Sequence, residues 1–152
     1  LQLALDGIIK GDRELARMYL DTLQANIPEA TVPVSNRELY MQISQLYSEV
    51  GDTAEVARRL DEFPNRFRVR QQDQVRLAAM YGQGLGDWDR AEQMLNEVYR
   101  RNPTDGELVG NIIALYRSAG HDDKVIPILE EWLIKYPNDN SAKQLYEALT
   151  AK

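Results

Sequence analysis

The sequence predicts an all-α fold in which antiparallel helix pairs stack side by side. The first observation is a glycine that recurs before a polar residue, at Gly11, Gly51, Gly86 and Gly120. The second is that apolar residues follow each glycine at offsets that share one face of an α-helix. The third is a proline seventeen residues after three of the four glycines.

The second helix of each pair is predicted from the residues that follow the glycine. Small, aliphatic and bulky residues stand five, nine and twelve places after it. In the order of the copies they are Ala16, Val56, Ala91 and Val125; Leu20, Leu60, Leu95 and Leu129; and Leu23, Phe63, Val98 and Trp132. The small residue lets the paired helices approach closely, and the glycine lets the chain reverse between them.

The late proline ends the second helix, because proline cannot continue the backbone hydrogen-bond ladder. It is Pro28, Pro103 and Pro137 in three copies, whereas the second copy has Pro64 early and Arg68 at the late position. We therefore expect a shortened second helix in the second copy.

The first helix of each pair precedes the glycine, and its end is marked by Gly7, Tyr47, Gly82 and Tyr116. In the third copy Tyr81 lies one place off this register, which predicts one extra residue in the glycine-rich turn. The expected helices are 1–10, 12–26, 36–50, 53–63, 68–83, 88–101, 105–118, 122–136 and 141–151. Ser35 with Glu38 and Thr104 with Glu107 form capping-box patterns at two starts.

A helical hairpin of about 34 residues with Tyr, Gly-Asp, Ala, Leu and Pro at these offsets resembles the tetratricopeptide repeat. The resemblance implies a right-handed superhelical stack of about four helix pairs plus a C-terminal capping helix. It divides a single domain, residues 1–152, into repeats and a cap, at about 1–28, 36–65, 68–104, 105–139 and 140–152.

Composition excludes several kinds of site. The chain has no cysteine and one histidine, so disulfides, thiolate nucleophiles and multi-histidine metal sites are not expected. A net charge of −6 gives no electrostatic reason to bind nucleic acid. The carboxylate pairs 122–123 and 130–131 diverge around a helix, and no phosphate loop or catalytic triad pattern is present. We expect neither an enzyme nor a cofactor nor a metal site.

The family resemblance implies a binding groove lined by the first helices of successive repeats, in which a protein or peptide segment docks. The positions carried over are Met41, Gln45, Ser48, Gln72, Val75, Ala79, Gly110, Asn111, Ala114 and Arg117. Two alternatives stay open: these are merely exposed helix residues, or the groove holds a neighbouring segment of the same protein.

One subclass of the family grips an acidic C-terminus with Lys, Arg and Asn. Here Asn111 and Arg76 fall near suitable positions, but the second copy has Glu38, Gln42 and Gln45 instead. Binding of an acidic chaperone tail is therefore not expected.

Six arginines form a second candidate surface in this acidic chain; they are Arg58, Arg59, Arg66, Arg68, Arg70 and Arg76. Arginine binds carboxylate and phosphate in a bidentate manner. The favoured interpretation is a solvated helix face with local ion pairs to Asp61, Glu62 and Asp73, and partner binding is the alternative.

Residues 27–52 resemble the tetratricopeptide tails of bacterial multi-spanning membrane proteins that are similar to glycosyltransferases. That resemblance implies an accessory role, in which the segment packs on an upstream domain or self-associates. The chain opens at Leu1 inside an amphipathic pattern, so we expect it to be part of a longer protein. No apolar run of about 18 residues is present, so this segment is not expected to insert into a membrane. The cytoplasmic and periplasmic faces of a bacterial membrane are both open as locations.

Overall fold

The computed structural model describes residues 1–25 and 33–151, and these ranges contain helices and turns without strands. The helices are α1 Gln2–Ile9, α2 Arg13–Ala25, α3 Pro33–Val50, α4 Thr53–Arg66, α5 Gln71–Ala79, α6 Trp88–Arg101, α7 Gly106–Ser118, α8 Asp122–Lys135 and α9 Asn140–Thr150. A π-helical segment, Met80–Gly84, continues α5. The predicted all-α class is confirmed.

The chain divides into two compact units, Leu1–Glu92 and Gln93–Lys152. In the first unit α1 packs on α2, α2 on α3, and α3 on α4. In the second unit α7 packs on α8 and α8 on α9. These consecutive helices are therefore packed neighbours, as expected for helical hairpins.

The four turn glycines adopt the left-handed conformation that the pattern requires, with φ of 75°, 81°, 70° and 78° in chain order. At Gly51 the amide donates to the carbonyl of Ser48 (3.1 Å), and the amide of Asp52 donates to the carbonyl of Tyr47 (3.0 Å). These bonds satisfy carbonyls at the end of α3, and a residue with a Cβ would be strained at this φ.

The extra residue predicted in the third turn is absorbed by the π-helical segment. The amide of Asp87 donates to the carbonyl of Tyr81 (2.9 Å), six residues back, whereas Asp52 reaches only five residues back. Gly82 lies against the ring of Trp88, which a Cβ on Gly82 would approach to 2.9 Å. The insertion thus widens one helical turn and leaves the position of the next helix start intact.

The apolar positions counted from the glycines form the core. All four small residues and all four leucines of the pattern are buried. In the first hairpin the backbone of Ala16 is 3.0 Å from the position of a Cβ on Gly7. Close helix approach therefore depends on small residues on both sides of the contact.

Three details of the helix map need correction. Helix α4 continues through Pro64 to Arg66, so its predicted shortening is wrong; Pro64 lies in the last turn, where it removes one amide donor. The start of α7 is capped by Asp105, which accepts from the Leu108 amide (3.1 Å), and not by Thr104. Helix α3 begins at Pro33, a position where a missing amide costs nothing, so the predicted start at residue 36, after a cap at Ser35, is wrong.

Pro28 lies outside the described residues, and so does the side chain of Ser35. The other two late prolines follow their helices as predicted, with α6 ending at Arg101 and α8 ending at Lys135.

Candidate functional site

Helix α3 presents one stripe of long polar side chains in the first unit. Its exposed residues include Glu38, Gln42, Gln45 and Glu49, which repeat at helical spacing. Met41, between them in sequence, has no exposed surface. It lies three residues after Glu38, a net rotation of about 60° around the helix, which places it at the edge of the stripe where the helix meets the core. Its assignment to the groove is wrong.

Helix α5 lies beside this stripe and is tied to it by an ion pair. The two terminal nitrogens of Arg76 contact the two carboxylate oxygens of Glu38 at 2.7 and 3.1 Å. The hydrogen bond from Arg76 lowers the pKa of Glu38. Further along the two helices, a Cβ on Gly84 would lie 2.7 Å from the Ser48 hydroxyl. The two first helices of this unit are thus held in close register.

The remaining groove candidates of the first unit differ in accessibility. Gln45 and Gln72 are exposed, whereas Ser48, Val75 and Ala79 are half-buried. The face is therefore polar and closely packed, and its arginine already has an internal carboxylate partner.

The groove candidates of the second unit all lie on the open face of α7. Gly110, Asn111, Ala114 and Arg117 are exposed. A Cβ on Gly110 would meet no atom within 4 Å. Arg117 lies 3.8 Å from Asp122 across the turn. This face has room for a side chain from a partner, because small residues occupy its centre.

Tyrosines at the ends of first helices hydrogen-bond to the preceding second helix. The phenol of Tyr47 donates to Asp21 (2.5 Å), and the phenol of Tyr81 donates to Asp61 (2.9 Å). Burial, with the neighbouring carboxylate, raises the pKa of both phenols. Because the same bond recurs in consecutive copies, these tyrosines serve repeat-to-repeat packing and are not candidates for proton transfer.

Arg59 is the one member of the arginine group that the sequence interpretation placed wrongly. It is 1% exposed, and its guanidinium carbon lies 4.0 Å from the ring centre of Tyr40. Its Nε donates to the Ser44 hydroxyl (2.8 Å), and one Nη donates to the Tyr40 carbonyl (3.1 Å). Burial lowers its pKa. The spacing of Val56, Arg59, Leu60 and Phe63 on one helical face could have revealed this position.

Most of the other arginines pair locally. Arg58 and Arg66 both contact Glu62, and Arg70 contacts Asp73 at 3.1 Å. Asp61 pairs instead with Arg90, at 3.0 Å. The expected pairing is therefore found at Glu62 and Asp73 and differs at Asp61.

Asp73 is almost fully buried at the start of α5. Burial alone would raise its pKa, but hydrogen bonds from the side chain and amide of Arg70, together with the charge of Arg37, lower it below the usual value. Arg37 approaches Asp73 to 3.7 Å and donates to the Arg68 carbonyl (2.8 Å). The junction between α4 and α5 is thus an internal charge cluster.

A cavity of about 460 Å³ opens at the end of α8 in the second unit. Its lining consists of Trp132, Lys135, Tyr136, Pro137, Asn138 and Asp139. The rings of Trp132 and Tyr136 are 4.3 Å apart. The Trp132 indole N–H donates to Asp139 (2.9 Å), which also caps α9 by accepting from the Ala142 amide. Sequence reasoning did not single out this cavity.

Neither a metal cluster nor a membrane span is found in the described parts of the chain. Within residues 1–25 and 33–151, no three His, Asp or Glu side chains are placed to share a metal ion. In the same ranges, no helix combines the length and apolar character needed to cross a bilayer.

Comparison with known proteins finds a family match in the C-terminal part of the chain. The family model described as Tetratricopeptide repeat matches residues 84–149. No curated protein compared with the chain matches it. The resemblance of residues 27–52 to glycosyltransferase-like membrane proteins is not supported by either comparison. Repeats of the matched family generally mediate protein–protein interaction.

Proposed function

We propose that the chain is a non-catalytic scaffold that binds a protein or peptide segment on the inner faces of its first helices. The observation that carries this proposal is the match of residues 84–149 to an interaction-repeat family. The same hairpin pattern runs through residues 1–83, with left-handed glycines at Gly11 and Gly51. We infer that the repeat family extends over that part as well.

The proposed contacts are assigned unit by unit. In the first unit they are Gln45, Ser48, Gln72, Val75 and Ala79. Amide side chains both donate and accept hydrogen bonds, so they suit the backbone of an extended segment. The ion pair with Glu38 neutralises Arg76, which lies on the same helix as three of these residues, and this disfavours an acidic terminus as the ligand.

In the second unit the proposed contacts are Gly110, Asn111, Ala114 and Arg117. Small exposed residues leave space for a bulky side chain or helix of the partner. Asn111 and Arg117 supply polar contacts on either side of that space.

The test is selection of a binder followed by variants on matched surfaces. A library of random linear peptides is selected on the purified chain, and affinity is then measured by calorimetry. Gln45→Arg and Ala114→Arg place a long cation on the proposed face of each unit. We expect at least one of them to weaken binding by about tenfold, because contacts near the centre of an interface dominate affinity.

The matched controls carry the same substitutions on exposed positions away from first helices. They are Gln93→Arg in α6 and Ala148→Arg in α9, both exposed in the structure. We expect these controls to bind like the parent chain. Equal losses from the controls and the groove variants would contradict the proposal.

A second candidate function is self-association or packing on another domain. It is favoured by large apolar side chains that are exposed at α1 and α2, namely Leu3, Ile9 and Met18. Exposed apolar surface of this kind tends to mark a contact. The accessory role in a glycosyltransferase-like membrane protein belongs to this alternative.

Sedimentation velocity over a range of chain concentrations tests self-association. The parent chain would associate as concentration rises, and Leu3→Glu with Ile9→Glu would keep it monomeric. A parent chain that stays monomeric throughout would rule out self-association through this surface.

A further inference from the structure

The second and fourth copies can be superposed in sequence without a gap from Arg37 onward. A shift of 69 residues carries Gly51 to Gly120. It also carries α4, Thr53–Arg66, onto α8, Asp122–Lys135, and the first residue of α5 onto that of α9. Positions at the ends of these two helices can therefore be compared one by one.

In the second copy, the end of α4 carries a pair of aromatic residues with an arginine side chain over one of them. Phe63 and Phe67 have ring centres 5.1 Å apart, and the guanidinium of Arg37 lies 5.7 Å from the Phe67 ring. The same guanidinium donates to the Arg68 carbonyl (2.8 Å) and lies 3.7 Å from the Asp73 carboxylate. Phe67 is only 9% exposed. The chain thus binds one of its own arginines with aromatic, carbonyl and carboxylate contacts.

In the fourth copy the aromatic pair is present and the arginine is missing. Trp132 and Tyr136 replace the two phenylalanines, and Gly106 stands at the position of Arg37. A Cβ on Gly106 would lie 3.4 Å from the Trp132 ring, so the residue adjoins the pair but has no side chain to cover it. Tyr136 is 39% exposed, and the cavity of about 460 Å³ lies beside it.

The charges around this cavity suit a cation. The Asp139 carboxylate lies on its wall, where one oxygen accepts from the Trp132 indole and the other from the Ala142 amide. The Ser141 amide also hydrogen-bonds to this carboxylate. A carboxylate oxygen can accept a further bond.

Lys135 also lines the cavity and would repel a cation. Its counterpart in the second copy, Arg66, pairs with Glu62, and Arg37 is bound nearby in spite of this second positive charge. The chain as a whole carries a net charge of −6.

We propose that the cavity beside Tyr136 binds an arginine side chain of a partner protein, in the way that the second copy binds its own Arg37. The guanidinium stacks on the Tyr136 ring and pairs with Asp139. This site goes beyond the proposed groove, because it uses the end of α8 and not the open face of α7.

The experiment is a titration of the isotopically labelled chain with short capped glycine peptides that contain one arginine. The peptide with citrulline in place of arginine has the same shape without the charge. We expect the Trp132 indole resonance to move with the arginine peptide, with a dissociation constant on the order of millimolar for so small a contact. Citrulline is expected to bind at least about threefold more weakly, because it lacks the charge. The indole signal is assigned with Trp88→Phe and Trp132→Phe.

Variants separate this site from other causes. Asp139→Asn removes the charge and keeps one acceptor oxygen, which can still cap α9, while the bond from the Trp132 indole is lost. It should weaken arginine binding about two- to fivefold. Lys135→Gln should strengthen it by a similar factor. Gly106→Arg should supply the missing side chain and abolish peptide binding, and it should melt at a higher temperature than Gly106→Gln.

Ala114→Arg, in the proposed groove, should leave the titration unchanged, so failure of the groove and failure of this site are distinguishable. Equal shifts from the arginine and citrulline peptides would overturn the proposal. An unmoved Trp132 resonance, or Asp139→Asn binding as tightly as the parent chain, would do the same.

Discussion

Replacing Arg59 by alanine is expected to destabilise the first unit by about 3 kcal/mol, chiefly by leaving a cavity in its core. The side chain is 1% exposed and lies over the Tyr40 ring. Truncation of a large buried side chain costs about 2–5 kcal/mol, and loss of the cation–π contact adds about 0.5–2 kcal/mol. Burial of the charge is itself unfavourable and lowers the pKa of Arg59. Removing the side chain removes this unfavourable contribution, which offsets part of the loss of stability.

The hydrogen bonds of Arg59 contribute less than their number suggests. The Ser44 hydroxyl, which accepts from Arg59, itself donates to the Tyr40 carbonyl (2.7 Å). When Arg59 is removed, the Ser44 hydroxyl and the Tyr40 carbonyl therefore keep each other as partners. An orphaned buried group would cost about 1–3 kcal/mol, and this arrangement avoids most of that cost.

Arg59→Met is the matched variant, because methionine keeps most of the volume and removes the charge. We expect it to lose about 1 kcal/mol or less, since apolar replacement of a buried ion is often close to neutral. Urea unfolding followed by circular dichroism measures both variants. If methionine destabilised as much as alanine, charge and hydrogen bonding, and not volume, would hold this core together. A loss under about 0.5 kcal/mol for alanine would refute the reasoning altogether.

Further predictions concern two glycines and one buried carboxylate. Gly82→Ala should cost about 1–3 kcal/mol because its Cβ would press on the Trp88 ring. Gly110→Ala should raise the free energy of unfolding by up to about 1 kcal/mol, because alanine favours the helix more than glycine does and its Cβ would contact no other atom there. Thermal melts of the pair measure both, and similar shifts would contradict the packing argument. The folded state lowers the pKa of Asp73, so its contribution to stability is present above the unfolded pKa and is lost as pH falls through the folded one. Asp73→Asn should therefore flatten the fall of stability as the pH drops below about 4, the ordinary pKa of an aspartate, and an unchanged acid profile would count against this role.

Much of the helix map was predictable because it depends on local rules. Glycine at a helix end, apolar residues at helical spacing and proline after a helix act within a few residues of one another. The helix boundaries that were predicted wrongly also depend on local signals, but at these positions two such signals favour different boundaries. At the start of α7, Thr104 and Asp105 are both good capping residues, and only the backbone conformation selects Asp105.

The candidate site was less predictable, because exposure depends on what packs against a helix. Met41 and Gln45 lie one helical turn apart on α3, yet the first is buried and the second exposed. Arg59 was placed on the surface because arginine is seldom fully buried. Two tyrosine rings and two acceptors from α3 make its burial possible here.

By itself, the sequence determined the helical class, the hairpin period and the extra residue of the third turn, since these follow from backbone rules within one or two helical turns. Only the tertiary structure decided that Glu38 neutralises Arg76, that Arg59 is enclosed, and that the aromatic pair of the fourth copy is open. These outcomes depend on side chains from helices that are distant in sequence. Phe67 is covered by Tyr40 as well as by Arg37, whereas the fourth copy, in which Tyr136 is exposed, has Val109 and Gly106 at those two positions.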